Sequence, residues 1–184
     1  MKRIVLTFGL ISGAILAAMT AVMLPLCMSG VVDFDKSEIV GYTSMVLSFL
    51  LVFFGIRSYR ENVGGGVITF GKAFKVGILI TAIACAVYVI SWEIVYYNFV
   101  PDFADKYAAH RIDRMRAKGA TQAAIEATTK EMARFKELYA NPFLNAFITL
   151  MEVFPVGLIV TLVSAAILRR KTRPSAPSTA VAMA

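Results

Sequence analysis

Two carboxylates, Glu93 and Glu152, stand inside the long apolar stretches of this 184-residue chain, and they are the residues best placed to do chemistry. An ionised side chain at the centre of a membrane helix costs about 2.5–3.5 kcal/mol on insertion scales, so it is retained for a partner or for a task. Each has polar company. Asn145, Thr149 and Glu152 follow one another at steps of four and three, a single stripe of a helix. Tyr96 lies one turn beyond Glu93, and Tyr42 and Ser44 reach a similar depth from another segment. Two chemistries are open to this cluster. In the structural one, two neutral carboxylic acids are hydrogen-bonded and tie their helices together. In the functional one, a proton-titrating or cation-binding pair lines an outward cavity, the arrangement of a small proton- or cation-coupled carrier. Pro155, three residues past Glu152, lacks a backbone donor and frees the carbonyl of Met151 to accept a bond.

Other reactive side chains assemble into nothing comparable. His110 is the single histidine and has no second ligand near it in sequence, so an exposed histidine is expected and a metal site is not. No Ser-His-Asp or Cys-His arrangement can be composed around it. Gly64-Gly65-Gly66 lacks the Lys-Ser/Thr ending of a phosphate loop and reads as a hinge. Cys27 and Cys85 lie in apolar surroundings and read as small buried or lipid-facing residues. The expectation is a non-enzyme with no catalytic residues, no metal and no cofactor.

The elements that must position these residues are apolar helices. The chain is 58% hydrophobic and 17% charged, with a mean hydropathy of +0.70. Four apolar runs, 4–28, 39–56, 74–100 and 142–168, approach or exceed the roughly 20 residues that carry a helix across about 30 Å of hydrocarbon. They predict an all-α integral membrane four-helix bundle. The first run is too long for a cleaved signal peptide and reads as an uncleaved signal anchor. Gly9, Gly13, Ala17 and Ala21 recur every four residues along it, a stripe suited to close packing inside the bundle or to dimerisation. The second run is expected to start at Ser37 or Glu38, with Ser37 as its N-cap. The third ends in an aromatic belt of Trp92, Tyr96, Tyr97 and Phe99.

Between the third and fourth runs, residues 101–141 predict a helical hairpin. A polar helix from Asp102 to Lys118 is stopped by Gly119, and Thr121 caps a second helix. Ile125, Thr128, Met132, Phe135 and Tyr139 give that second helix one apolar face, with Phe103, Tyr107, Ile112 and Met115 as the facing candidates. Asn141 caps the fourth run and Pro142 opens it. Residues 172–184, rich in Pro, Ser and Ala, predict a disordered cytoplasmic tail.

The net charge of +7 is distributed as an orientation signal. Lys2 and Arg3 precede the first run, Arg57, Arg60, Lys72 and Lys75 lie between the second and third, and Arg169, Arg170, Lys171 and Arg173 follow the fourth. Short loops rich in Lys and Arg stay cytoplasmic. Both termini are therefore expected inside, in a multi-pass protein of the bacterial inner membrane, and the hairpin outside. The hairpin's eight cations against six anions run mildly counter to the rule. No basic face with interleaved aromatics occurs, which argues against nucleic acid as a partner.

Several stretches carry a resemblance. Thr69-Phe70-Gly71-Lys72-Ala73-Phe74-Lys75-Val76-Gly77, Tyr96-Tyr97-Asn98-Phe99 with Pro101-Asp102-Phe103, Tyr139-Ala140-Asn141-Pro142, and Met151-Glu152-Val153-Phe154-Pro155-Val156-Gly157-Leu158 before the terminal basic cluster are similar to domain-of-unknown-function family 4199. The resemblance covers nearly the whole chain except the tail. It implies a small four-span bacterial membrane protein and supplies no catalytic residues. The leading expectation is an inner-membrane protein acting by helix packing, with the lipid bilayer and either a second copy or another membrane protein as partners. The alternative is the carrier built on Glu93 and Glu152.

Overall fold

The computed structural model describes residues 1–170, which form six α-helices. These are α1 (Lys2–Met28), α2 (Phe34–Asn62), α3 (Phe70–Phe99), α4 (Phe103–Ala117), α5 (Gln122–Ala140) and α6 (Pro142–Leu168). The expected tail at 172–184, with Lys171 and Arg173, lies outside the described residues. Among the described residues there is no strand, only an isolated antiparallel bridge between Ile68 and Arg170.

Local chemistry sets most of the helix ends. Thr121 Oγ1 accepts from the amide of Ala124 at 3.3 Å, and Asn141 Oδ1 accepts from that of Phe143 at 3.0 Å. Gly119 takes φ +70°, the left-handed conformation that ends α4. Two starts fall earlier than expected. α2 begins at Phe34 rather than at Ser37, because Asp33 Oδ1 caps the amide of Asp35 at 2.8 Å. Phe34 is then held by aromatic contacts with α4. α3 begins at Phe70, capped by Thr69.

The four long helices hold 27 to 30 residues each, enough at about 1.5 Å per residue to cross the hydrocarbon of a bilayer. In α6 only 22% of the most apolar window is buried inside the protein. Leu47, Ile90, Phe147 and Ile159 are among the large apolar side chains left exposed. Water does not tolerate an apolar surface of that extent, and lipid does. The chain is thus a membrane protein by the length and composition of its helices.

Small residues set how closely the long helices approach. A Cβ on Gly9 would meet Ile83 Cβ at 2.8 Å, and one on Gly13 would meet Val87 Cβ at 2.6 Å, so α1 lies hard against α3 and runs the same way. The stripe is used within the chain at these two positions. Ala17 is half-buried and Ala21 is exposed. α6 runs against α3, with Gly157 beneath Thr81 and Phe49. Buried hydroxyls pair across the same contacts. Ser12 and Ser48 donate to each other's carbonyls at 3.0 and 2.7 Å, and Thr81 and Thr161 share a bond of 2.9 Å. Satisfied in this way, polar groups strengthen a helix contact that lipid alone would not drive.

α4 and α5 lie against each other, with Met132, Tyr139, Ala104 and Ala108 buried. Lys136 also pairs with Asp105 across them. The buried positions of α4 are Ala104 and Ala108, while the facing candidates Ile112 and Met115 are partly buried. Tyr107 meets Phe135 of α5 at a ring separation of 5.7 Å, as expected, and also Phe34 at 5.9 Å, while Phe103 meets Trp92 of the long helices at 5.3 Å.

Candidate functional site

At the end of the molecule covered by α4 and α5, all six helices converge on a cavity of about 460 Å³. α1 contributes Leu16, Thr20 and Met23, and α2 contributes Phe34, Glu38, Tyr42 and Ser44. Tyr88 and Trp92 enter from α3, and Thr149 and Glu152 from α6. Phe103, Tyr107, Phe135 and Tyr139 of α4 and α5 complete the wall.

Glu152 presents its carboxylate to this space, and no side chain among the described residues bonds to it. One turn earlier, Thr149 donates to Asn145 Oδ1 at 3.3 Å, and the same oxygen accepts Trp92 Nε1–H at 2.9 Å. Asn145 is fully buried, so this junction fixes the indole against the cavity. The Tyr97 hydroxyl donates to the carbonyl of Tyr139 at 2.9 Å and ties α3 to the end of α5. Burial, followed by the charge of Glu152, pushes the Tyr139 phenol above the ordinary tyrosine range. Burial does the same for Tyr107. Both rings therefore face the cavity as neutral hydroxyls.

Of the seven residues that the sequence groups as one polar cluster, Tyr42, Ser44, Thr149 and Glu152 line the cavity, and Asn145 stands directly behind it. Glu93 and Tyr96 are placed elsewhere. Tyr96 is buried against Trp92, Tyr97, Phe103 and Tyr139. Glu93 does not line the cavity, and its Oε1 is buried without a hydrogen-bond partner. The physical reason is helical rotation. Adjacent residues point about 100° apart, and Trp92 takes the inward direction. Glu38 is the second carboxylate of the wall, a residue that sequence reading passes over because it stands among the exposed acids at the start of α2.

The same cover contains a cluster that sequence spacing does not show. His110 Nε2 lies 3.5 Å from Asp35 Oδ1, and Asp33 completes a group whose ligand atoms all fall within 4.8 Å. Asp35 Oδ1 is already held by Arg114 Nη1 at 2.5 Å, and Asp33 is committed to capping α2. The expected isolation of His110 is corrected here. It is half-buried, with its ring centroid 5.0 Å from that of Phe34, in a latch that joins α4 to the start of α2.

Six helices, four of them able to cross a membrane, around a carboxylate-bearing aromatic cavity define an α-helical membrane protein. Within that class, the chain belongs to the family described as protein of unknown function (DUF4199), whose model matches residues 7–170. No curated protein and no solved structure matches the chain.

Proposed function

We propose that this protein is a multi-pass, non-enzymatic protein of the bacterial inner membrane that binds a small molecule in the cavity around Glu152. In this reading the long helices form a four-span bundle with both termini cytoplasmic. α4 and α5 form an extracytoplasmic hairpin that closes the binding site. The clustering of basic residues supports the orientation: Lys2, Arg57, Lys72 and Arg169 share the end opposite the cavity, where Ile68 bridges to Arg170. The observation that carries the binding role is the cavity itself. Its volume lies within the roughly 300–1,000 Å³ of small-molecule sites, and its wall combines eight aromatic rings and several aliphatic side chains with the hydroxyls of Thr20, Ser37, Ser44 and Thr149 and the carboxylates of Glu38 and Glu152.

The surfaces from which the sequence suggests a partner are engaged within the chain at Gly9, Gly13, Met132 and Tyr139. Of the α1 stripe, only its end around Ala21 and Val22 is left exposed for self-association. The carrier reading is favoured at one residue. Glu152 lines the cavity, whereas Glu93 does not, so coupling would rest on Glu152 and not on a pair.

Thermal unfolding of the full-length protein in detergent, with cationic, anionic and neutral amphiphiles, tests the proposal. At about 100 times its Kd, a ligand of the folded state adds about 2.7 kcal/mol. At least one class should raise the midpoint, and Ser44→Phe, which fills the cavity, should abolish the rise. No shift in any class, or a shift that survives Ser44→Phe, contradicts the proposal.

A further inference from the structure

The charge of the cavity wall is the reverse of the charge of the chain. Across the whole sequence Lys and Arg outnumber Asp and Glu by 19 to 12, yet Glu38 and Glu152 are the charged residues that line the cavity, while Arg111 acts on the Tyr107 phenol and His110 lies against Phe34 without lining it. Glu152 receives no ion pair or hydrogen bond from the described residues. Glu152 is exposed to the cavity rather than sealed in helix packing, and a cleft lined by charge of one sign draws in the opposite charge. Around it stand Tyr42, Tyr88, Trp92, Tyr107 and Tyr139, and the faces of such rings attract cations. Burial keeps Tyr107 and Tyr139 in the neutral, hydroxyl form.

From this wall we infer that the cavity recognises an organic ammonium group, with Glu152 as its counter-ion and the tyrosine and tryptophan rings as its cage. The inference rests on the small-molecule reading above and names the class of ligand. A bare metal ion fits poorly, since a hard cation takes some six to eight oxygen ligands. The one group of three convergent metal-ligating side chains among the described residues is Asp33, Asp35 and His110, where Arg114 already holds Asp35. An anion would meet two like charges, and a purely apolar ligand would leave Glu152 uncompensated. Thr20, Ser44 and Thr149 add hydroxyls that could accept from an ammonium N–H. The ammonium could belong to a free amine or to the headgroup of a zwitterionic lipid. The chemistry of recognition is the same for both.

Trp92 is the only tryptophan of the chain and lies in the wall, so its fluorescence reports occupancy directly. The test titrates full-length protein in detergent with benzyltrimethylammonium and with neopentylbenzene, its uncharged analogue of the same shape. The expected result is a saturable change with the cation alone. Glu152→Gln should weaken it roughly 10–100-fold, and Tyr42→Leu roughly 3–10-fold. Glu93→Gln, outside the cavity, should match the wild type, which separates loss of the counter-ion from general damage. Thermal midpoints of each variant show whether it is folded. If both probes bind equally, the small-molecule reading stands and the ammonium inference falls. If neither binds, both fall. Full binding by a folded Glu152→Gln variant also overturns the inference. In vesicles of equal phosphatidylglycerol content, and so of equal surface charge, weaker cation binding when the second lipid is phosphatidylethanolamine than when it is an uncharged glycolipid identifies a lipid headgroup as the occupant. Equal binding identifies a free amine. Either result supports the ammonium class.

Discussion

Asn145 receives two hydrogen bonds at a single oxygen, from Trp92 and from Thr149, while its Nδ2 is buried without a partner. The chain keeps an unpaired amide there to hold one indole, which places the importance of the residue in the position of Trp92. Asn145→Leu should leave Nε1–H without an acceptor and cost about 1–3 kcal/mol. A lower thermal midpoint and blue-shifted tryptophan emission would register this; an unchanged spectrum would contradict it. Tyr139 makes a second prediction at this scale. Its folded phenol holds its proton more tightly than the unfolded one, so the associated stability is present below the ordinary phenol range, near pH 10, and is lost as pH rises through the folded value. Tyr139→Phe should therefore lose less thermal stability than the wild type on going from neutral to strongly alkaline pH. Equal losses would assign the alkaline sensitivity to other groups.

Among the elements, the long helices are locked by missing side chains and the cover by charged ones. A Cβ on Gly157 would stand 2.5 Å from Thr81 Cγ2 and 2.9 Å from Phe49 Cζ, so Gly157→Val should cost about 1–3 kcal/mol through overpacking. Ala21→Val, on an exposed position of α1, should cost little. Similar midpoints for the two variants would contradict the close approach of α3 and α6. The cover depends on the pairing of Arg114 with Asp35, which is partly exposed and worth about 0–1 kcal/mol. Arg114→Gln should leave the global midpoint nearly unchanged while accelerating hydrogen exchange in α4 and α5. Uniform acceleration throughout the protein would instead assign the pair to global stability.

Helix ends set by neighbouring residues are legible from the sequence: Gly119, Thr121 and the Asn141-Pro142 pair mark them through local hydrogen bonds and allowed dihedrals. The early start of α2 is legible only in part: Asp33 is a local cap, but the hold on Phe34 by Phe103, Tyr107 and His110 comes from a distant stretch of the chain.

For the whole molecule, hydropathy alone identifies four helices able to cross a membrane, and the family is legible in the residues around Glu152. The cavity is a different kind of object. It is the space enclosed where six helices converge, and no segment of the sequence contains it. That is why Glu93 and Glu152 look equivalent in sequence. Each is one acid in one apolar helix, and only the rotation fixed by contacts such as those of Gly157 and Asn145 turns one toward the cavity and the other away. Binding at this site therefore requires Glu152 to face a space reached from the side of α4 and α5. Thiol labelling measures this directly. Glu152→Cys and Glu93→Cys, each in a Cys27→Ser, Cys85→Ser background, are exposed in intact spheroplasts to a membrane-impermeant thiosulfonate reagent. Labelling of Glu152→Cys from outside, with Glu93→Cys unreactive, is the predicted result; a Glu152→Cys variant that is silent from outside, or labelled no faster than Glu93→Cys, would contradict it.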